Sequence, residues 1–546
     1  MNRIVRMLRR ESCRTPYWAW GMMVLFLLAG TVPYAAAWFA APAGATATGV
    51  ISNPFDTNSY LANMQQGYQG RWLYVLPYTA LANRPIPLFS FYIASGHVAR
   101  LTGFSLPLVF HLARLACGAL FVLAAYHFIA RYLERPGERQ LALFILLFTG
   151  GTGWMVSLVP GLSEVTRTQL TPDLWLSDAI SFQAMFANGH FTLNMVLMMG
   201  MIAAGEHLLA EKRWWWVPVA WLCGLGIALV HAHQLAVVGL VLAGEALWQA
   251  WFTRRIPWRA ASRLALIFAP GGVLAGALTL RSHADPQLAS WLAQGNTYTP
   301  PVWGMANLYG PVWVLAFAGA WHAARQHRAG SRGALLWFLT VLALIYLPVN
   351  FQRRFMEGWH VPVAILAATG WAHEIAPRLQ RAMTARAARL VLIISLALVT
   401  ASPAHTLSTV TRYVVQHPDD PLVYAHPAER GAVAWLREHA TLNDVVLSYF
   451  YSGNWLPARA PVRSFLGHWS LTAEVTQRIG EVESFFDAAT TDAERLDLLD
   501  TFGIDYVYVG PDERALGDFD PRHAPYLALV YDSPSVQLYR VVLSNP

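Results

Sequence analysis

The chain has 546 residues, of which 55% are hydrophobic and 13% charged, with 23 Trp, 21 Tyr and 26 Phe and a mean hydropathy of +0.36. Soluble domains carry about 25% charged residues, so this composition excludes a soluble cytosolic enzyme, a disordered protein and a disulfide scaffold, and it points to a polytopic membrane protein. The net charge of +7 averages two unlike parts: residues 1–403 hold 29 Lys and Arg against 13 Asp and Glu, and residues 404–546 hold 10 against 19. The basic residues of the first part sit in short loops between apolar stretches, so the basic pI does not indicate nucleic-acid binding.

In chain order, apolar runs of roughly 17–25 residues predict about eleven membrane spans. They lie at 17–40, 107–131, 140–160, 191–210, 214–231, 234–252, 263–280, 303–324, 333–350, 359–375 and 387–404. The first is too long for a cleaved signal peptide and has no small-residue cleavage site. The stretch 214–252 is one broken span or two short ones, and His231-Ala232-His233-Gln234 divides it. With the N-terminus placed in the cytoplasm, the inside segments carry 21 Lys and Arg, among them Arg3, Arg6, Arg9, Arg10, Lys212, Arg255 and Arg328. The outside loops carry seven, namely Arg71, Arg84, Arg100, Arg167, Arg281, Arg353 and Arg354. This asymmetry sets the orientation, and an odd number of spans then puts 405–546 outside. The expected fold is mainly α: a polytopic transmembrane helical bundle over 1–404, with a long first outside loop at 41–106, and a small C-terminal extracytoplasmic α/β domain at 405–546. Within that loop a helix is expected near Thr57–Gly67 and a second semi-apolar stretch at Leu88–Leu101. The tail reads as a helix at Glu429–Ala440 and strands at Asp444–Tyr449, Ile504–Val509, Tyr526–Tyr531 and Val536–Val542. A capping box at Thr491–Glu494 opens a helix that Gly503 ends. No cysteine falls in the tail, so no disulfide is expected there: Cys13 precedes the first span, and Cys117 and Cys223 lie in apolar runs.

Ionisable groups at a membrane are costly and tend to be functional. Six acids of the first part fall outside: Asp56, Glu164, Asp173, Asp178, Asp285 and Glu357. Asp56, just after the first span, is either a general base at the membrane surface or the cap of a helix beginning at Thr57; Tyr60 follows it. Asp173 and Asp178 flank Trp175, and Asn188-Gly189-His190 follows. Such a loop suits a sugar, through ring stacking and hydroxyl hydrogen bonds, or a divalent cation; it equally suits an interfacial loop with aromatic anchors. His231 and His233, two apart, cannot share one face of a helix, which argues against a zinc pair there; a histidine on a phosphate or a satisfied interfacial histidine remain. Arg353 and Arg354 break the positive-inside trend at the end of a span. Arginine forks match phosphate oxygens, so this pair suits a lipid-linked phosphate, against the alternative of headgroup anchoring. The aromatic loop 295–303, which ends in Trp303, covers a cleft or is an ordinary turn, and Gly467-His468-Trp469-Ser470 faces the membrane site or solvent. There is no P-loop, no dinucleotide fingerprint and no Gly-x-Ser-x-Gly elbow.

The order of one span, a long outside loop with an early Asp, then Asn83-Arg84-Pro85-Ile86-Pro87-Leu88-Phe89, Leu101-Thr102-Gly103-Phe104-Ser105 and His111-Leu112-Ala113-Arg114-Leu115 resembles the GT-C superfamily of polyprenyl-phosphate-dependent glycosyltransferases. That superfamily includes protein O-mannosyltransferases, aminoarabinose transferases acting on lipid A and oligosaccharyltransferase catalytic subunits. The resemblance covers roughly 17–160 and, as architecture, the tail. It implies that Asp56 matches the first-loop acid that binds or deprotonates the acceptor. Arg84 stands where the family often has His, and Ile86 where it has a second Pro; the paired acids of many members are missing.

The expected function is transfer of a sugar from a polyprenyl-phosphate donor to a glycan, lipid or protein acceptor on the extracytoplasmic face, with inversion. Asp56 is expected as base, helped by Asp178. Arg353 and Arg354, with His231 and His190, are expected on the phosphate, and Asp173, Trp175, Tyr60, Arg84, Trp303 and His468 on substrate. No metal ligand set is assigned, and a divalent cation is the one cofactor the outside loops could hold. The alternatives are a transporter or flippase of a lipid-linked or anionic glycan, for which mid-span acids would speak, and a non-catalytic GT-C-like binding subunit. Glu206 and Glu245 lie near the cytoplasmic span ends, which favours the enzyme.

Overall fold

The computed structural model describes residues 14–542 apart from 212, 255, 327 and 328. Cys13 and the basic residues Arg3, Arg6, Arg9, Arg10, Lys212, Arg255 and Arg328 therefore lie outside the described residues. The chain forms two compact units. One comprises Met1–Val32, Arg114–Gly276 and Thr297–Val410; the other comprises Pro33–Ala113, Ala277–Asn296 and Thr411–Pro546. The tail thus shares its unit with the first long loop and with a segment near 277–296.

Among the described residues seven helical segments are long and apolar enough to cross a membrane: Tyr17–Ala40, Leu106–Tyr132, Pro136–Ser157, Gly189–Ala210, Gln234–Thr253, Trp258–His283 and Ala385–Gln416. The molecule is an integral membrane helical bundle with a small sheet near its C-terminus. The four other predicted spans are shorter helices. Trp216–His231 and Ala329–Leu344 have 16 residues each. The run at 303–324 is divided into Val302–Tyr309 and Val312–Gln326. Gly310, at φ +49°, and Pro311 interrupt it, because proline cannot donate to the helical ladder. At 359–375, His360–Gly370 runs into a π-helical turn, Trp371–Ile375, ahead of Ala376–Ala382. Pro377 in that last helix has no N–H to continue the regular ladder, and one wider turn absorbs the misfit.

In the first unit the buried Arg114 works against a helix end. Its Nη1 donates to the carbonyls of Gly30, at 3.2 Å, and Met185, at 3.1 Å. Gly30 closes Tyr17–Ala29, so the guanidinium meets a carbonyl that the helix leaves without a partner. Pro136–Phe148 breaks at Thr149. Beyond it, Gly150 N–H donates to Val399 and Thr152 N–H to Asn307, at 3.0 and 2.9 Å.

In the second unit the helices Pro54–Tyr68 and Ser90–Thr102 cross at glycines. A Cβ on Gly67 would lie 2.0 Å from the Ile93 carbonyl, and one on Gly96 would lie 2.0 Å from that of Met64. The tail forms a five-stranded sheet in the order Arg463–Ser464, Val445–Leu447, Tyr506–Val509, Gln537–Val541, Leu527–Asp532. The first three strands are parallel, and Gln537–Val541 runs antiparallel to both of its neighbours. Alternation along Tyr506–Val509 explains its two-sided burial. Val507 and Val509 pack with Val482, Phe485 and Leu499, whereas Tyr506 and Tyr508 face Ala432, Leu436 and Trp455. A two-residue antiparallel ribbon pairs Thr46–Ala47 with Tyr424–Ala425, joining the first loop to the tail.

Candidate functional site

In the first unit the chain turns sharply after Ala329–Leu344 and enters the 3-10 helix Gln352–Met356. Thr297 pins this turn: its N–H donates to the Asn350 carbonyl at 2.7 Å, and its carbonyl accepts from Arg353 N–H at 3.1 Å. The polar loop beginning at Gly295 therefore braces the arginine pair through its backbone. Both guanidiniums reach one carboxylate. Arg353 Nε is 3.3 Å from Asp178 Oδ2, and Arg354 Nη1 is 3.1 Å from Asp178 Oδ1, with Asp178 buried. The Arg353 guanidinium also lies 5.2 Å over the Trp175 ring. Both guanidiniums thus converge at one spot, and arginine forks match the oxygens of an anion such as a phosphate.

Beside the pair lie three histidines and an acid. His231 ends Trp216–His231, and its Nδ1 is 2.6 Å from Glu357 Oε2. The His190 ring is 5.0 Å from that of His231. Gln234 opens the next helix and donates through Nε2 to the Arg354 carbonyl at 2.6 Å. Burial first, then the charges of His231 and Arg354, hold the His233 imidazole well below its ordinary range, in the neutral form. His231, His233 and Glu357 each offer a ligand atom, and these atoms lie within 4.8 Å of one another. The expectation that His231 and His233 must diverge assumed a continuous helix. The break at Ala232 removes that premise, since one histidine closes a helix and the other caps the next.

In the second unit Asp56 is the third residue of Pro54–Tyr68, whose cap position is Asn53 at φ 45°. The helix begins before Thr57, so Asp56 is not its cap. Its carboxylate instead accepts from Asn53 Nδ2 at 2.5 Å and contacts His468 Nε2 at 3.1 Å. The tautomer of His468 follows from its other nitrogen. Nδ1 accepts from the backbone N–H of Ser470 and Leu471 at 3.2 and 3.3 Å, so the proton sits on Nε2 and is donated to Asp56. Asn454, fully buried, ties the two sides together. Its Oδ1 accepts from Asn58 on the Asp56 helix, and its Nδ2 donates to the Gly467 carbonyl, each at 2.9 Å. Tyr78 donates to the Asn454 carbonyl at 2.9 Å. Asn454 lies in Tyr451-Ser452-Gly453-Asn454-Trp455, a segment after an apolar run that the sequence offers as facing either the membrane site or solvent, whereas nothing in its spacing marks Tyr78.

The remaining predicted residues separate. Tyr60 stacks on Tyr92 at 4.4 Å in the crossing helix. The exposed Arg84 contributes its backbone N–H to Asp285 Oδ2 at 2.7 Å. Trp303 is 65% exposed. Asp173 is fully buried: its Oδ2 accepts from Gly151 and Gly153 N–H, each at 3.1 Å, and from the Ser402 hydroxyl. Burial pushes that carboxyl up to about 6, against these hydrogen bonds. Asp178, expected beside Asp56, belongs to the other compact unit and has its oxygens on the arginines. Glu206 and Glu245 are paired with Arg131 and Arg332, at 2.7 and 3.3 Å.

No family model matches the sequence, and no curated protein matches it. Solved structures do. ArnT from Cupriavidus metallidurans bound to undecaprenyl phosphate is 15% identical with a TM-score of 0.53, over 96% of this chain and 98% of that one. The Archaeoglobus fulgidus oligosaccharyltransferase tethered with an acceptor peptide is 12% identical with a TM-score of 0.52, over 96% and 74%. Arabinofuranosyltransferase AftD from Mycobacteria is 15% identical with a TM-score of 0.50; the match takes in 97% of this chain and 40% of that one. From its first spans to its C-terminal sheet, the chain has the fold of the GT-C glycosyltransferases.

Proposed function

We propose that this chain is a glycosyltransferase that moves a sugar from a polyprenyl-phosphate donor to an acceptor hydroxyl on the extracytoplasmic face. The observation that carries the reading is the braced pair Arg353 and Arg354, whose guanidiniums converge beside Asp178 and Trp175. The match to ArnT bound to undecaprenyl phosphate supports the donor class. In the proposed step the acceptor oxygen attacks the anomeric carbon as the bond from that carbon to the phosphate oxygen breaks. Polyprenyl phosphate leaves with the electron pair, and Arg353 and Arg354 hold its new charge. Asp56 takes the acceptor proton. Attack opposite the leaving group inverts the anomeric centre. Asp178 keeps both guanidiniums aimed and is assigned no proton transfer. The transport reading calls for acids at mid-span, and the two candidates, Glu206 and Glu245, are each paired with an arginine.

The test is turnover in proteoliposomes given a panel of polyprenyl-phosphate sugars. Wild type is expected to release polyprenyl phosphate, and Asp56→Asn to fall by about 10²–10⁴-fold, the range of a general base. A folded wild type that binds the lipid without releasing it overturns the transferase; a product with retained configuration overturns the single displacement.

A further inference from the structure

We propose that His231, His233 and Glu357 form a transition-metal site, with Zn²⁺ the ion that their donor set suits best. Two imidazoles and one carboxylate are a zinc donor set that leaves a fourth position open. Ligand atoms around tetrahedral zinc, at about 2.0–2.2 Å from the metal, stand roughly 3.3 Å from each other. Here the three ligand atoms lie within 4.8 Å of one another, and one pair, His231 Nδ1 and Glu357 Oε2, is at 2.6 Å. Two further features mark these groups. Glu357 is fully buried, and its Oε1 has no hydrogen-bond partner among the described residues. His233 Nε2 is a buried nitrogen with no hydrogen-bond partner among the described residues. Buried polar atoms are almost always satisfied, and two orphans on potential ligands of one site mark a missing partner. Ligation by His231 Nδ1 requires the ring proton on Nε2, so the direct contact of Nδ1 with Glu357 Oε2 would give way to the ion.

The site lies beside the arginine pair, since Gln234, next to His233, donates to the Arg354 carbonyl and Glu357 follows Arg354 by three residues. There the ion would add a Lewis-acid contact for a phosphate oxygen. That role rests on the lipid-phosphate reading above; the site itself does not.

The experiment uses the full chain in detergent, stripped with a chelator, dialysed against Zn²⁺ and then against metal-free buffer. The expected result is about one bound Zn²⁺ per chain by elemental analysis, and visible ligand-field bands of a tetrahedral site when Co²⁺ replaces it. His233→Ala and Glu357→Gln should each weaken Zn²⁺ binding by at least ~10-fold, while elution volume and melting temperature without metal stay at the wild-type values. His233→Cys supplies another zinc ligand and should recover binding, which a merely structural histidine would not allow. Wild type without bound zinc overturns the site; so does zinc held equally well by His233→Ala and Glu357→Gln. Zinc bound at these residues by a protein that releases no polyprenyl phosphate leaves the site standing and sinks the transferase instead.

Discussion

Asp56 is held by two neutral donors, the Asn53 amide and the Nε2–H of His468. Both arrive pre-aimed: Asn53 from its left-handed cap position, and His468 because two backbone N–H groups occupy Nδ1. His468 therefore acts through Asp56, as a positioning residue. Removing it as His468→Ala should lower kcat by about tenfold or more, since a hydrogen bond to a charged group contributes about 1.5–3 kcal/mol. His468→Gln, whose amide can donate to the carboxylate, should recover part of that loss. The measurement is initial rate against acceptor concentration for the three proteins. A rise in KM with kcat unchanged would show that His468 binds acceptor directly. The sequence singles out Asp56 and His468 separately, 412 residues apart, but nothing local links them, because the link runs through Asn454 and the Gly467 carbonyl. Asp173 shows the converse. Its sequence setting is that of a binding loop, yet two backbone amides and Ser402 enclose it. Exposure is a tertiary property that a residue type and its neighbours do not carry.

Elements were legible where one local signal decides them. The box at Thr491 and Glu494 opens Asp492–Thr501, and Gly503 at φ +55° follows its end. The two-residue strand Arg463–Ser464 has no such signal, since only its neighbours in the sheet make it a strand. Crossing contacts are equally hidden. Gly96 looks like a helix-weakening glycine, but its missing Cβ lets Ser90–Thr102 rest on the backbone of Pro54–Tyr68, the helix that carries Asp56. Gly480, in Val475–Phe486, has nothing within 4 Å of its would-be Cβ. The two should respond to alanine with opposite signs. Gly96→Ala overpacks the crossing and should cost about 1–3 kcal/mol, whereas Gly480→Ala should stabilise its helix by up to about 1 kcal/mol. Melting temperatures in detergent decide. A neutral Gly96→Ala would mean that the two helices part readily, and that the crossing does not fix Asp56.

At the scale of the molecule, charge and apolar length made the helical bundle legible. The basic, apolar part and the acidic tail suggest a boundary near 404, yet 33–113 and 277–296 join the tail in one compact unit. Hydropathy reports what faces lipid; it does not report which polar segments pack together. The orientation argument rests on a different physical rule, the retention of Lys and Arg in the cytoplasm, and it makes a separable prediction. In a Cys13→Ala background Cys117 and Cys223 are buried, so an introduced thiol reports its own position. Glu438→Cys, exposed in the tail helix Pro427–His439, should react with a membrane-impermeant maleimide in intact cells. Arg381→Cys, exposed in Ala376–Ala382, should react only after the membrane is opened. The reverse pattern would put Asp56 and the tail, which share a unit, in the cytoplasm together. It would leave the fold and the arginine pair intact, but the acceptor would then have to be a cytoplasmic one, and the proposed face of transfer would be wrong.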